Sequence, residues 1–98
     1  LSLGVTVAMT HVPRRVVREL DLLTDQAIEV IEVLPRGPAA TAGLQAGDLI
    51  VSAGGRITAG ADDLHRVLAG LKAERDVELQ VVRGERLLEV TVTPRWSS

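Results

Sequence analysis

Cysteine is absent from the 98 residues, which excludes disulfides, thiolate metal sites and a cysteine nucleophile while assigning no redox compartment. Aromatics are nearly as scarce. There is no Phe or Tyr and a single Trp, at position 96, so the core has to be built from Val, Leu, Ile and Ala. The two histidines, His11 and His65, lie far apart, with no His-x-x-x-His spacing and no multi-carboxylate cluster, which argues against a zinc or calcium site. The serines are Ser2, Ser52, Ser97 and Ser98, and none sits in a Gly-x-Ser-x-Gly frame. Ser52, inside a strand-like segment, reads as an outward polar residue. Asp62 and Asp63 are neighbours and so cannot share a helix face as an acid pair; helix capping explains them better. Gly43-Leu44-Gln45-Ala46-Gly47-Asp48 lacks the Gly-Lys-Ser/Thr ending of a phosphate loop. No cofactor is expected.

Charge of one sign is also missing. Eleven basic and thirteen acidic residues are interspersed for a net charge of −2, which creates no broad field for a polyanion and disfavours nucleic acid. Arg14, Arg15 and Arg18 form a small basic ridge, but Glu19 and Asp21 beside them favour a solvated face. No apolar run approaches the ~20 residues that span a bilayer, so insertion into a membrane by this segment is not expected. No signal peptide is expected within this segment. A strand-like opening without methionine leads to the expectation of an excised piece of a longer protein, with any targeting signal elsewhere.

What is present is one domain's worth of alternating apolar segments around a densely punctuated centre. Between Arg36 and Ile50, Pro38 opens a short helical turn of small residues, and Gly43 ends it in a left-handed conformation. Leu44 is then free to plug inward, and Gly47-Asp48 suits a second tight turn in which the aspartate bonds nearby amides. Upstream, Leu3, Val5, Val7 and Met9 alternate as one face of a strand. Pro13 starts a short helix through Leu20 with Val16, Val17 and Leu20 as its apolar stripe, and residues 27–34 read as a strand halted by Pro35. Downstream, residues 49–53 form a strand that returns through Gly54-Gly55 to Arg56, Ile57 and Thr58. Leu64, Val67, Leu68 and Leu71 fall at helical spacing, with Asp62 and Asp63 in the first turn and Lys72 at the end. Val77, Leu79 and Val81 oppose Glu78 and Gln80, and Leu88, Val90 and Val92 oppose Glu89, Thr91 and Thr93, giving a closing hairpin. Residues 95–98 form a frayed tail, and residues 1–94 the domain.

The string Gly37-Pro38-Ala39-Ala40-Thr41-Ala42-Gly43-Leu44-Gln45-Ala46-Gly47-Asp48-Leu49-Ile50 resembles the SPA-x-x-AGL-x-x-GD-x-I core of PDZ domains, above all those of bacterial HtrA/Deg-like, trypsin-like serine proteases. Gly37 stands where serine is usual. The resemblance runs from Leu3-Gly4-Val5 to Val92-Thr93-Pro94. It implies a mainly β, α+β fold: a partly open five- to six-stranded barrel capped by two or three helices.

The resemblance also implies a binding mode. A partner's C-terminal segment adds as an antiparallel strand between a sheet edge and a helix, its carboxylate meeting backbone N–H groups of a glycine-bearing loop. That loop maps onto Ser2, Leu3, Gly4 and Val5, with Ser2 in place of a common tyrosine. Thr6, Val7, Ala8 and Met9 would offer the edge, and Ala61, His65 and Leu68 the opposite wall. Leu3, Val5, Val7 and Leu68 would line a pocket for an aliphatic or Phe end, and His65 would touch the residue two places back. For Val7 and Leu68 the alternative is ordinary core; for His65 it is an exposed helix histidine.

The function implied is a non-catalytic module that captures hydrophobic C-termini or unfolded segments and works with a protease domain in the same parent chain. That parent would be a trypsin-like serine endopeptidase in a periplasmic, extracellular or membrane-tethered setting. Two other readings keep the fold: a different parent (a C-terminal-processing protease, a membrane-embedded metalloprotease or a secretion component), or a protein-assembly scaffold that associates through its edge strand.

Overall fold

The computed structural model describes residues 4–58, 66 and 76–94. Eight elements are described there: β1 (Val5–His11), α1 (Arg14–Glu19), β2 (Gln26–Val33), α2 (Pro38–Ala42), β3 (Leu49–Ala53), β4 (Arg56–Ile57), β5 (Val77–Arg83) and β6 (Arg86–Val92). The strands make one antiparallel sheet in the order β1-β2-β3-β5-β6. β4 pairs with the second half of β3, the first half pairing with β2. The mainly β architecture with short helices is the one expected. The helix anticipated over residues 61–71 lies outside the described residues save Arg66, which is helical.

Both faces of the sheet carry core, because the strands alternate and a helix covers each side. On one face Ile28, Val30, Ile50, Leu79, Val81 and Val92 gather with Ala39 and Leu44 of the α2 corner. On the other, Val12 and Val16 from the α1 region meet Ala27, Val51 and Val82. Hence Val81 and Val82 are buried side by side, each on its own face. α1 matches its expected stripe: Val16 is buried, Val17 and Leu20 half-buried, and the arginines solvated, with Arg15 paired to Glu85 across to the β5–β6 turn.

Turns follow the local chemistry. Gly54 and Gly55 both take positive φ, 59° and 83°, as a two-residue hairpin with right-handed strand twist demands. Beyond β4, Thr58 is fully buried and donates its hydroxyl to the Ile50 carbonyl at 3.0 Å, closing the corner without an orphaned polar group.

Candidate functional site

β1 is the terminal strand of the sheet order, paired among the described residues with β2 alone. The ladder runs from Val5 opposite Val33 to His11 opposite Gln26, with a register shift between Thr6 and Val7 that leaves Ile31 as an extra residue in β2. A bulge of this kind sharpens the local twist of an edge pair. Val5 and Val7 are half-buried against the main core, while Thr6 and Ala8 are exposed on the alternate face. Met9 departs from the expected buried face. It is 64% exposed, because the contact of this strand with the main cluster ends at Val7. A thioether side chain therefore stands in solvent on the same face as Val5 and Val7.

Gly4 enters β1 in a left-handed conformation, φ 73°, and its carbonyl accepts the Leu34 N–H at 2.9 Å, which carries the β1–β2 ladder one step past Val5. The Leu34-Pro35-Arg36-Gly37 turn then closes by donation from the Gly37 N–H to the Leu34 carbonyl at 3.2 Å, with Arg36 at φ 64°. This brings the start of α2 against Gly4. A Cβ placed on Gly4 would lie 3.4 Å from both Gly37 Cα and Pro38 Cδ.

The α2 corner itself is tightly tied. Thr41 donates both its N–H and its hydroxyl to the Gly37 carbonyl at 3.0 Å. At the other end Gly43, φ 96°, lets the Leu44 N–H reach Ala39 and its own N–H reach Ala40, a Schellman ending that drives Leu44 into the core. Asp48, 1% exposed, accepts from the Gln45 N–H at 2.9 Å, as a capped turn requires. It also receives a bidentate pair from Arg83, Nε to Oδ1 and Nη2 to Oδ2, both at 2.8 Å. The Arg83 guanidinium further donates to the Gly43 carbonyl at 3.0 Å. The hydrogen bond to Asp48 raises the Arg83 pKa above its ordinary value against a partial loss of solvation. Arg83, the last residue of β5, was not singled out from the sequence, and the clamp was missed. The only signal for it is a buried-type aspartate in need of a cation, and nothing local says which of the eleven basic residues supplies it.

Of the residues expected to form the site, Gly4, Val5, Thr6, Val7, Ala8 and Met9 stand in sequence along one edge. Ser2, Leu3, Ala61, His65 and Leu68 lie outside the described residues. His11, at the far end of β1, is exposed. Among the described residues no group of three His, Asp or Glu side chains is placed to hold a metal ion. Ser52 is half-buried and donates to the Gln80 amide oxygen at 3.1 Å.

A groove of about 420 Å³ lies away from β1, between the Leu20–Thr24 loop and the sheet face carrying Val51, Glu78, Gln80, Leu87 and Glu89. Leu23 beside it is 87% exposed. It holds no residue of the edge just described.

Residues 2–93 match the PDZ domain family. The chain belongs to that family. This PDZ domain is 42% identical over 64 residues to a "probable periplasmic serine endoprotease DegP-like" of Pseudomonas savastanoi, a match covering 65% of this chain and 13% of that protein. A protein of the same description from Halomonas elongata is 31% identical over 87 residues, covering 89% of this chain and 18% of the relative. The PDZ domain thus spans less than a fifth of the length of either protein. Among solved structures it superposes on the HtrA3 PDZ domain bound to a phage-derived ligand, FGRWV, with a TM-score of 0.72 and 28% identity, over 96% of this chain and 84% of that one. The expected family and fold are borne out.

Proposed function

We propose that this PDZ domain captures the hydrophobic C-terminal end of a peptide or unfolded segment by adding it as a strand along β1, and that it serves as a substrate-binding or regulatory domain of an HtrA/Deg-like serine endopeptidase. The observation that carries the reading is an edge strand entered through a positive-φ glycine, in a fold shared with a PDZ domain that holds a peptide ligand. A strand paired on one side only supplies backbone donors and acceptors for an incoming chain. Glycine at the entry lets consecutive amides turn toward one anion, and such charge-assisted bonds are stronger than neutral ones.

The proposed contacts divide by chemistry. The loop Ser2, Leu3, Gly4 and Val5 takes the terminal carboxylate, and Thr6, Val7, Ala8 and Met9 pair with the peptide backbone. Ala61, His65 and Leu68 form the facing wall by family resemblance. Aliphatic ends suit an aliphatic pocket. The periplasm is the proposed compartment, supported by the descriptions of the relatives.

The test is calorimetric titration with a hexapeptide ending in Val, as free acid and as C-terminal amide. Amidation is expected to weaken binding about tenfold, equivalent to about 1.4 kcal/mol. Equal affinity of the two forms would remove the carboxylate loop from the proposal.

A further inference from the structure

The cover that α1 lays over its face of the sheet stops part-way. Val51 and Val82 are buried beneath it, but Gln80 and Glu78, the next residues of β5 on that face, are exposed, as is Glu89, which stands opposite Gln80 in β6. The loop of residues 20–24 borders this uncovered stretch, and the groove of about 420 Å³ lies between them. Both ends of the loop are fastened. Asp21 takes a left-handed φ of 55° so that the Leu22 N–H reaches the Val17 carbonyl at 2.9 Å, and the Thr24 hydroxyl accepts the Gln26 N–H at 3.1 Å. Leu23, between these ties, stands in solvent.

The lining mixes two chemistries. Six large apolar side chains are exposed among the described residues, and three of them, Leu23, Ile57 and Leu87, line this groove. Its charged residues are Asp21, Glu78 and Glu89, with no lysine or arginine beside them in the lining, and none of the three is in an ion pair with a described residue. The register supplies no neutralising neighbour: Glu78 stands opposite Thr91, and Glu89 opposite Gln80, whose amide oxygen accepts from Ser52.

Each half of that lining rules out a class of occupant. A purely aliphatic segment would take carboxylates out of water without partners, and a purely cationic one would leave the apolar side chains uncovered. Polyanions and a free C-terminal carboxylate meet charge of their own sign. We propose that the groove docks a polypeptide segment carrying both aliphatic side chains and Lys or Arg, the aliphatic groups resting on Leu23, Ile57 and Leu87 and the cations on Glu78 and Glu89. A volume of this order takes a few side chains. No residue of β1 lines the groove, so this is a second docking surface, separate from the strand-addition edge.

The experiment titrates isotope-labelled protein with three hexapeptides blocked at both ends, so that none offers a terminal carboxylate to β1. One alternates Lys and Leu, one Glu and Leu, and one Lys and Ser. The Lys-Leu peptide is expected to shift the amides of Leu23, Glu78, Leu87 and Glu89, to leave Val5 to Met9 in place, and to bind about tenfold more tightly than either control. The double variant Glu78→Gln, Glu89→Gln and the single variant Leu23→Ser are each expected to weaken it about fivefold. All three positions are exposed, so these changes leave the fold intact. Raising sodium chloride from about 0.05 M to about 0.5 M is expected to weaken binding in the wild type and to do so less in the double variant.

Equal binding of the Glu-Leu peptide overturns the charge half of the proposal, and equal binding of the Lys-Ser peptide overturns the apolar half. Shifts confined to β1 overturn the whole. So do groove resonances that move with protein concentration alone, which would make a second copy of the chain the occupant.

Discussion

The α2 corner and the β1 edge sit against one another but are built on opposite terms. In the corner every polar group that goes inside is answered: Asp48 by Arg83 and the Gln45 amide, the Gly37 carbonyl by Thr41, the helix end by a Schellman pair. On the edge, Val5 and Val7 are half-buried, Met9 is exposed, and pairing among the described residues is on one side. On the proposed binding mode, the contrast separates stability from recognition. The corner contributes folding free energy and packs against Gly4, and the edge presents half-buried Val5 and Val7 and an exposed Met9 on a strand that pairs, among the described residues, with β2 alone.

That division is breakable by substitution. The largest effect is expected for Leu44→Ala: a core side chain and the cavity left behind cost about 3 kcal/mol in urea unfolding, with the acid-to-amide ratio unchanged wherever the variant folds. Next comes Arg83→Met. It strands a carboxylate that is nearly inaccessible to water, but the arginine is about one-third exposed, so the cost is nearer 2–3 kcal/mol than the full penalty of breaking a buried pair. Gly43→Ala forces a Cβ into left-handed backbone and is expected to cost about 1–2 kcal/mol. Met9→Ala closes the series. Stability should move by less than about 0.5 kcal/mol, since the side chain stands in solvent, while affinity for a Val-ending peptide falls measurably by calorimetry. A Met9→Ala variant that unfolds easily but binds normally would reverse the comparison.

Much of this was readable from residue order because it is governed by local chemistry. Pro38, Gly43 and Gly47-Asp48 set the corner, Gly54-Gly55 sets the hairpin, and the strand over residues 49–53 is found as expected. Three features were not legible, and each depends on distant chain. Arg83 reaches Asp48 across 35 positions, with no local pattern to announce it. Val82 breaks the alternation of its strand because α1 builds a second core on the far face. Met9 keeps its strand's period but loses its cover, since burial depends on what lies opposite and not on spacing. At the site, the order Gly4 to Met9 was legible as a run, and the seating of Gly37 on Gly4 was not, because only a folded turn brings residues 33 positions apart within contact.

The most direct measurement is amide hydrogen exchange along β1 with and without a Val-ending peptide bearing a free carboxylate. Protection is expected to rise from Gly4 through Met9, as an added strand engages the open edge. Protection that rises instead around Leu23, Ile57 and Leu87, with β1 unchanged, would place the ligand in the groove on the other face and contradict strand addition.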